Sequence, residues 1–444
     1  MTDCAPAVPA RGRPKLLREG WKSMNQIMPS REMTDAAALA QPFPPPDQRW
    51  PQYGQDEIEA VVHVLQSGRV NSLVHGDQCR AFEREFASYC DMPHAISLAN
   101  GTLALELALR ALGVGSGDEV IVPARSFFAS ASAVAAVGAV PIFADIDRNS
   151  HTMDPAAIAP LINERTSAIL CVHLAGFPCD MDALSAIADR HGLWLVEDCA
   201  QAHGAAIRGR RVGSFGHASA FSFCTDKIMS TGGEGGMLLL KDDAHWERAW
   251  AYKDHGKNVA MLNAPAAGNA FRYLHESFGT NWRLTEMQAA IGRVQLRKLP
   301  GWLARRQANA AMLHEGLSDH PLIEMPQVPD GVEHAYYKFY LLLDPSVDRP
   351  EVIAALARRG IPAGTGSCPD MSRELAVRNS NRPNIRPLPI AAEIGERSLM
   401  LPVDHLLGEE AMQLMIDTLL EAVGSADDEV QKLSLPNKQL SSSN

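Results

Sequence analysis

Seven short apolar runs, separated mostly by helix-like stretches, constrain this chain more than any other feature. They lie at Ala95–Leu98, Val120–Val122, Val140–Ala144, Ala168–Val172, Trp194–Val196, Ala218–Phe223 and Met237–Leu240. Runs this short and this continuous read as strands buried on both faces. Segments such as Asp154–Asn163 and Met181–His191 read as helices between them. The alternation predicts an α/β fold with a mainly parallel seven-stranded sheet and helices on both faces. Further on, Thr285 and Gln288 have the spacing of a capping box, opening a helix whose Met287, Ile291 and Val294 share one face. A smaller C-terminal α+β unit is expected to follow, with a strand at Tyr337–Leu343, a helix ending near Gly360 and a last helix from Gly408 to Val423. The expected organisation is therefore an extension over 1–46, a large α/β domain over 47–284, a small domain over 285–424 and a tail over 425–444. Both ends are polar or proline-rich and are expected to be mobile.

Composition narrows the class. A chain of 444 residues, 46% hydrophobic and 21% charged, can bury one large core and a smaller one. A net charge of −11 without a dense Lys/Arg run argues against nucleic acid or an anionic membrane as partner. The basic residues from Arg11 to Arg18 are not followed by an apolar stretch, so no signal peptide is expected. The longest apolar run, Ala133–Ala144, contains Pro141 and is too short to span a bilayer. Eight cysteines form no C-x-x-C pair and no zinc-like cluster with histidine, so no metal is assigned, and a reducing cytoplasm fits best.

Chemistry is expected at the carboxyl ends of the strands, where ligands of open α/β sheets collect. In LWLVEDCAQAHGA, from Leu193 to Ala205, Glu197 and Asp198 fall at such an end. A carboxylate there can hold the ring nitrogen of pyridoxal 5'-phosphate (PLP) protonated and make the ring an electron sink, or it can simply cap the next helix. In SAFSFCTDKIMSTGGEGGML, from Ser219 to Leu238, an apolar strand delivers Lys227 to a polar turn before a glycine-rich loop. A lysine among apolar neighbours can lose its proton and condense with an aldehyde, whereas most lysines only solvate a turn. Asp198 and Lys227 together, one strand apart, favour the cofactor. In ANGTLALELALRAL, from Ala99 to Leu112, the amides of Gly101 and Thr102 open a helix and point at an anion, and Ser222 adds a hydroxyl nearby. In EVIVPARSFFAS, from Glu119 to Ser130, Phe127 either lies on a cofactor ring or joins the core.

Other glycines and histidines carry less. Gly113, Gly115 and Gly117 follow a helix and precede a strand, the wrong order for a dinucleotide fingerprint. Gly232–Gly236 lacks the Lys-Ser or Lys-Thr of a phosphate-binding loop and reads as a turn that lets the chain pass close to a cofactor. His173, His203 and His255 read as structural groups, with no catalytic role assigned.

These segments, in this order, resemble the DegT/StrS family of nucleotide-sugar aminotransferases, PLP enzymes of fold type I. The likeness runs from about Trp50 to about Val423 and is densest between Ala99 and Leu299. It implies that Lys227 is the Schiff-base lysine, Asp198 the pyridinium partner and Gln201 the glutamine beside the ring. It likewise makes Gly101, Thr102 and Ser222 phosphate ligands and Phe127 the stacking aromatic. GTNWRLTEMQAAIGRVQLRKL, from Gly279 to Leu299, is similar to the segment whose asparagine, here Asn281, reaches the phosphate of the neighbouring subunit, which implies a homodimer with shared sites. Three stretches depart from the family: Cys224-Thr225-Asp226 before the lysine, Arg125 near the stacking position, and NSLVH at 71–75.

The implied reaction moves an amino group from L-glutamate or glutamine to a keto sugar carried on a nucleotide, by ping-pong steps, for amino-sugar and surface-polysaccharide or glycoconjugate biosynthesis. A cyclitol or aminohydroxybenzoate precursor as acceptor would keep the same cofactor residues. A PLP-dependent sugar dehydratase resembles the family but carries histidine at the position of Lys227. A nicotinamide oxidoreductase would need a glycine fingerprint after the first strand, and a non-catalytic regulator would not need the lysine, the aspartate and the cradle intact.

Overall fold

The structure, a computed structural model, describes residues 43–265, 271–380 and 386–434. Most of the extension expected over 1–46, and the tail beyond 434, lie outside the described residues. All seven apolar runs become strands of one sheet: β1 His94–Leu98, β2 Glu119–Pro123, β3 Val140–Ala144, β4 Thr166–Val172, β5 Trp194–Asp198, β6 Ala218–Ser222 and β7 Gly236–Leu240. Their spatial order is β1-β7-β6-β5-β4-β2-β3. The pairs from β6 across to β3 are parallel, while β7 runs antiparallel to both β6 and β1. The reversal follows from the connection. A loop without a helix joins β6 to β7, and parallel neighbours need a crossover.

Alternate residues of each strand feed opposite cores, as the pleat requires. Val120 and Val122 of β2 pack with Leu105, Leu109 and Val134 of helices α3 (Gly101–Ala111) and α4 (Ala129–Ala136). Ile121 between them packs with Ile169, Leu195 and Leu184, the last from α5 (Met181–His191), on the other face. Farther along that face, Phe221 and Leu239 meet Phe82 and Phe86 of α2 (Asp77–Tyr89), which follows α1 (Gln55–Ser67). Helix α5 forms where expected, opened by Asp180, whose Oδ1 accepts from the Ala183 amide at 3.0 Å, and closed by left-handed Gly192. The helix expected over Asp154–Asn163 is instead two single turns of 3-10 helix, Pro155–Ala157 and Ala159–Leu161. Pro160 has no amide hydrogen and disfavours the α conformation of the residue before it, so no continuous helix can pass.

The predicted capping box is present: Thr285 Oγ1 accepts from the Gln288 amide at 3.3 Å, and the Thr285 amide donates to Gln288 Oε1 at 3.1 Å. After α6 (Asp243–Lys253), it opens the long helix α7 (Glu286–Leu317), which serves two cores. Leu299 and Leu303 pack with Phe82, whereas Leu313 and Leu317 pack with Phe339, Leu341 and Val352. That second core belongs to a small antiparallel sheet of β8 (Ile323–Glu324), β9 (Phe339–Leu343) and β10 (Ser398–Leu401). The helices Arg349–Arg358 and Glu409–Ser434 complete it, the latter running past Val423. No helix among the described residues is long and apolar enough to cross a membrane.

Candidate active site

Strand ends bring the chemistry together. β5 and β6 are parallel neighbours with Asp198 opposite Ala220, so the Asp198 carboxylate and the turn that follows Ser222 share one edge of the sheet. Asp198 is 5% exposed. Its Oδ2 accepts from Ser130 Oγ at 2.9 Å and its Oδ1 from the Ala200 amide at 3.1 Å. Burial pushes its pKa up, and the Ala200 amide, Ser130 and the field of Lys227 offset this only in part. A buried carboxylate held this way is poised for a cation.

Lys227 stands on the turn after β6. Its Nζ lies 3.4 Å from Asp226 Oδ2 and 4.9 Å from the centre of the Tyr337 ring. Tyr337 OH donates to that same Asp226 oxygen. Burial raises the pKa of Asp226, but Lys227 and Tyr337 outweigh it and hold the carboxyl below its ordinary value. The amine is thus placed by a carboxylate and a ring.

The expected phosphate cradle is closely packed. Asn100 Oδ1 caps α3 by accepting from the Leu103 amide at 2.9 Å, which leaves the Gly101 and Thr102 amides at the helix start without an intrahelical acceptor. A Cβ on Gly101 would lie 2.6 Å from Ser222 Cβ, and one on Gly236 would collide with the Asn100 carbonyl. Both glycines are required for the end of β6 and the start of β7 to lie against this helix terminus. Ser222 Oγ accepts from the Cys224 amide at 3.3 Å, and its hydroxyl hydrogen remains available to an anion.

The other expected residues are less gathered. Gln201 is buried, and its Oε1 accepts from the Ala175 amide at 2.7 Å, which fixes the amide plane. Phe127 is 66% exposed on the loop between β2 and α4, not part of the core. Asn281 is exposed in an extended segment bridged to Asp254, and its Oδ1 accepts from the Arg283 amide at 3.4 Å. No described contact joins Asn281 to Asp198 or Lys227.

The family profile described as the DegT/DnrJ/EryC1/StrS aminotransferase family matches residues 51–420. The chain belongs to this family. Among relatives, the aminotransferase is 46% identical over 286 residues to the erythromycin biosynthesis sensory transduction protein EryC1 of Saccharopolyspora erythraea, covering 64% of this chain and 74% of that one. It is 41% identical over 302 residues to the dTDP-3-amino-3,4,6-trideoxy-alpha-D-glucose transaminase of Streptomyces venezuelae, covering 68% and 75%. Other relatives bear the name L-glutamine:2-deoxy-scyllo-inosose aminotransferase. Among solved structures, an aminotransferase from Psychrobacter cryohalolentis superposes with a TM-score of 0.83 at 43% identity, covering 85% of this chain and 99% of that one. The aminotransferase therefore has the fold of PLP-dependent aminotransferases, and PLP is its cofactor.

The residues present fit that cofactor. The buried Asp198 carboxylate suits a cationic ring nitrogen, the glycine-lined terminus of α3 with Ser222 suits a phosphate, and Phe127 offers an uncovered aromatic face. When bound, PLP supplies an aldehyde that exchanges amines and a ring that takes up electrons.

Several contacts at this site were not visible in the sequence. Ser130 and Tyr337 have no role assigned from the sequence, and each bonds to a residue distant in the chain. Arg125 is fully buried; its Nη2 donates to Ser398 Oγ at 3.0 Å, and its guanidinium lies 5.1 Å from the centre of the Tyr340 ring. His173 is a satisfied structural group: its Nδ1 accepts from the Cys179 amide at 3.0 Å, and its Nε2 lies 3.0 Å from Glu197 Oε2. His203 is different. It is buried beside Phe221 and Phe223, and neither ring nitrogen has a hydrogen-bond partner among the described residues. Burial, with Lys227 adding to it, pushes its pKa down to about 3, so the ring is neutral. His173, Glu197 and Cys199 also converge within 4.8 Å, a grouping that the spacing does not suggest. Glu197 already accepts from the Gly213, Phe215 and Gly216 amides at 2.7, 2.8 and 2.6 Å, so the cluster is bonded within the protein.

Proposed function

We propose that this aminotransferase moves an amino group from L-glutamate or L-glutamine to the keto group of a sugar carried on a nucleotide. The observation that carries the reading is the pairing of a placed amine with a buried acid: Lys227 held between Asp226 and Tyr337, in the electrostatic reach of Asp198. Lys227 would bind the cofactor aldehyde in the resting enzyme. Once displaced by the donor, it would move the proton from the donor α-carbon. Asp198 would keep the proton on the ring nitrogen, with Ser130 and the Ala200 amide holding the carboxylate in place. Gly101, Thr102 and Ser222 would hold the phosphate, Phe127 would cover the ring, and Gln201 would stand beside it.

Asn281 lies on an exposed segment and would complete the phosphate site of a second subunit, making the active unit a homodimer. The described cysteines are all free, which supports a reducing cytoplasm. The large domain over 47–284 would carry the cofactor, and the small domain over 285–424 would close over the substrates. Relatives named for a scyllo-inosose acceptor make a cyclitol the second reading, because the cofactor residues would be the same for both. The test is a screen of nucleotide keto sugars and keto cyclitols with glutamate and glutamine, read by mass spectrometry. A product one amine heavier from a nucleotide sugar supports the first reading. Turnover of the cyclitol alone replaces it with the second.

A further inference from the structure

Lys338 has no part in the site as described, yet it shares the Tyr337 ring with Lys227. Its Nζ lies 5.1 Å from the centre of the Tyr337 ring, and Lys227 Nζ lies 4.9 Å from the same centre. The sum of those two distances is the most that can separate the ammoniums. Lys338 is half-buried, with no hydrogen bond or carboxylate partner for its Nζ among the described residues.

Its charged surroundings are mixed, with Arg306 and Lys227 on one side of the balance and Asp404 and Asp226 on the other. Arg306, 1% exposed, donates from Nη1 to the carbonyls of Tyr336 and Tyr337 at 3.1 and 3.3 Å, and its positive charge acts on Lys338. Asp226 is already engaged by Tyr337 and Lys227. Burial pushes the pKa of Lys338 down, and Arg306 lowers it further, while Asp404 and Asp226 oppose the change. A half-buried ammonium with no direct ion pair among the described residues is free to bind an anion arriving from solution.

We infer that Lys338 is a specificity residue that binds an oxyanion of the substrate beside Lys227. The inference rests on the proposed reaction, in which both substrates carry such a group: the donor its carboxylates, the nucleotide sugar its diphosphate. Either is a match for an ammonium that shares the Tyr337 ring with Lys227. A lysine that only lays its stem along Tyr337 would leave substrate binding unchanged.

Equilibrium binding to the cofactor-loaded enzyme separates these cases. Glutarate serves as the donor probe, and uridine and thymidine diphosphates as acceptor probes, measured by calorimetry on the wild type, Lys338→Gln and Lys338→Arg. Lys338→Gln is expected to weaken one class of probe by about tenfold or more, with Lys338→Arg retaining most of the affinity. The class that weakens identifies the source of the oxyanion, and weakening of both means one site used in each half-reaction. Equal affinities of wild type and Lys338→Gln for every probe overturn the inference while leaving the proposed reaction standing. A wild type that binds neither class overturns the proposed reaction and the inference with it. Should Lys338→Gln lose the cofactor, Lys338→Met, which keeps the stem against Tyr337, repeats the comparison. Cofactor loss by both assigns Lys338 to the fold and removes it from recognition.

Discussion

Ser130 Oγ donates to Asp198 Oδ2 at 2.9 Å, fastening the helix that follows Phe127 to the acid at the end of β5. The bond favours the charged carboxylate, so Ser130→Ala should raise the Asp198 pKa further and weaken its hold on a ring-nitrogen proton. We expect turnover to fall several-fold with the cofactor retained, and the acidic limb of the pH–rate profile to move upward. The stability cost should be about 1 kcal/mol. An unmoved acidic limb would detach Ser130 from catalysis.

Lys227 should be the residue that carries the cofactor. Purified enzyme is expected to be yellow, and borohydride should bleach it and leave the reduced cofactor on the peptide containing Lys227. Lys227→Ala should lose transamination by several orders of magnitude while keeping some cofactor through the phosphate contacts. Peptide mapping that finds the adduct on another lysine rules the assignment out.

Asp198 gives a pH prediction for the cofactor-free protein. Its folded pKa is raised by burial, so the folded state binds the proton more tightly than the unfolded chain. The stability present below the unfolded pKa of about 3.9 is therefore lost as pH rises through the folded pKa. Asp198→Asn should melt at a higher temperature than wild type at neutral pH, and the gap should close near pH 3. With cofactor added, the variant should lose most turnover. A variant less stable than wild type at neutral pH contradicts the account.

Asn281 is tested by mixing subunits. Lys227→Ala and Asn281→Ala chains that exchange into heterodimers would hold one site with both lesions and one with neither. Activity should reappear, provided each parent is impaired alone. No recovery despite demonstrated exchange refutes a shared site, as would full activity in a monomer.

Glu197 should matter to folding. It is fully buried, with three amide donors and His173 arranged around its carboxylate. Glu197→Ala would orphan those donors, and a loss of about 3–5 kcal/mol is expected in denaturant unfolding. A loss under about 1 kcal/mol would mean that water replaces the carboxylate.

Much of the fold was legible because burial on both faces writes itself as continuous apolar runs, and all seven became strands. The direction of β7 was not, since direction depends on whether a helix or a tight loop precedes the strand. The failed helix at Asp154–Asn163 carries its own warning in Pro160, which outweighs helical periodicity. The site divides in the same way. The positions of Asp198, Gly101 and Ser222 at a strand end, a helix start and a strand end were readable because these are local features, legible over a few residues.

Residue types and their order along the chain determined by themselves that this protein builds a mainly parallel sheet with Asp198 at a strand end and Lys227 on the turn after its neighbour. Only the tertiary structure decided what surrounds them. Ser130 meets Asp198 across 68 positions of sequence and Tyr337 meets Asp226 across 111, and Lys338 shares the Tyr337 ring with Lys227. Such contacts depend on packing two elements from distant parts of the chain, and no local pattern specifies the partner, because a hydroxyl or an ammonium has the same sequence signature whether its neighbour is water or a buried charge.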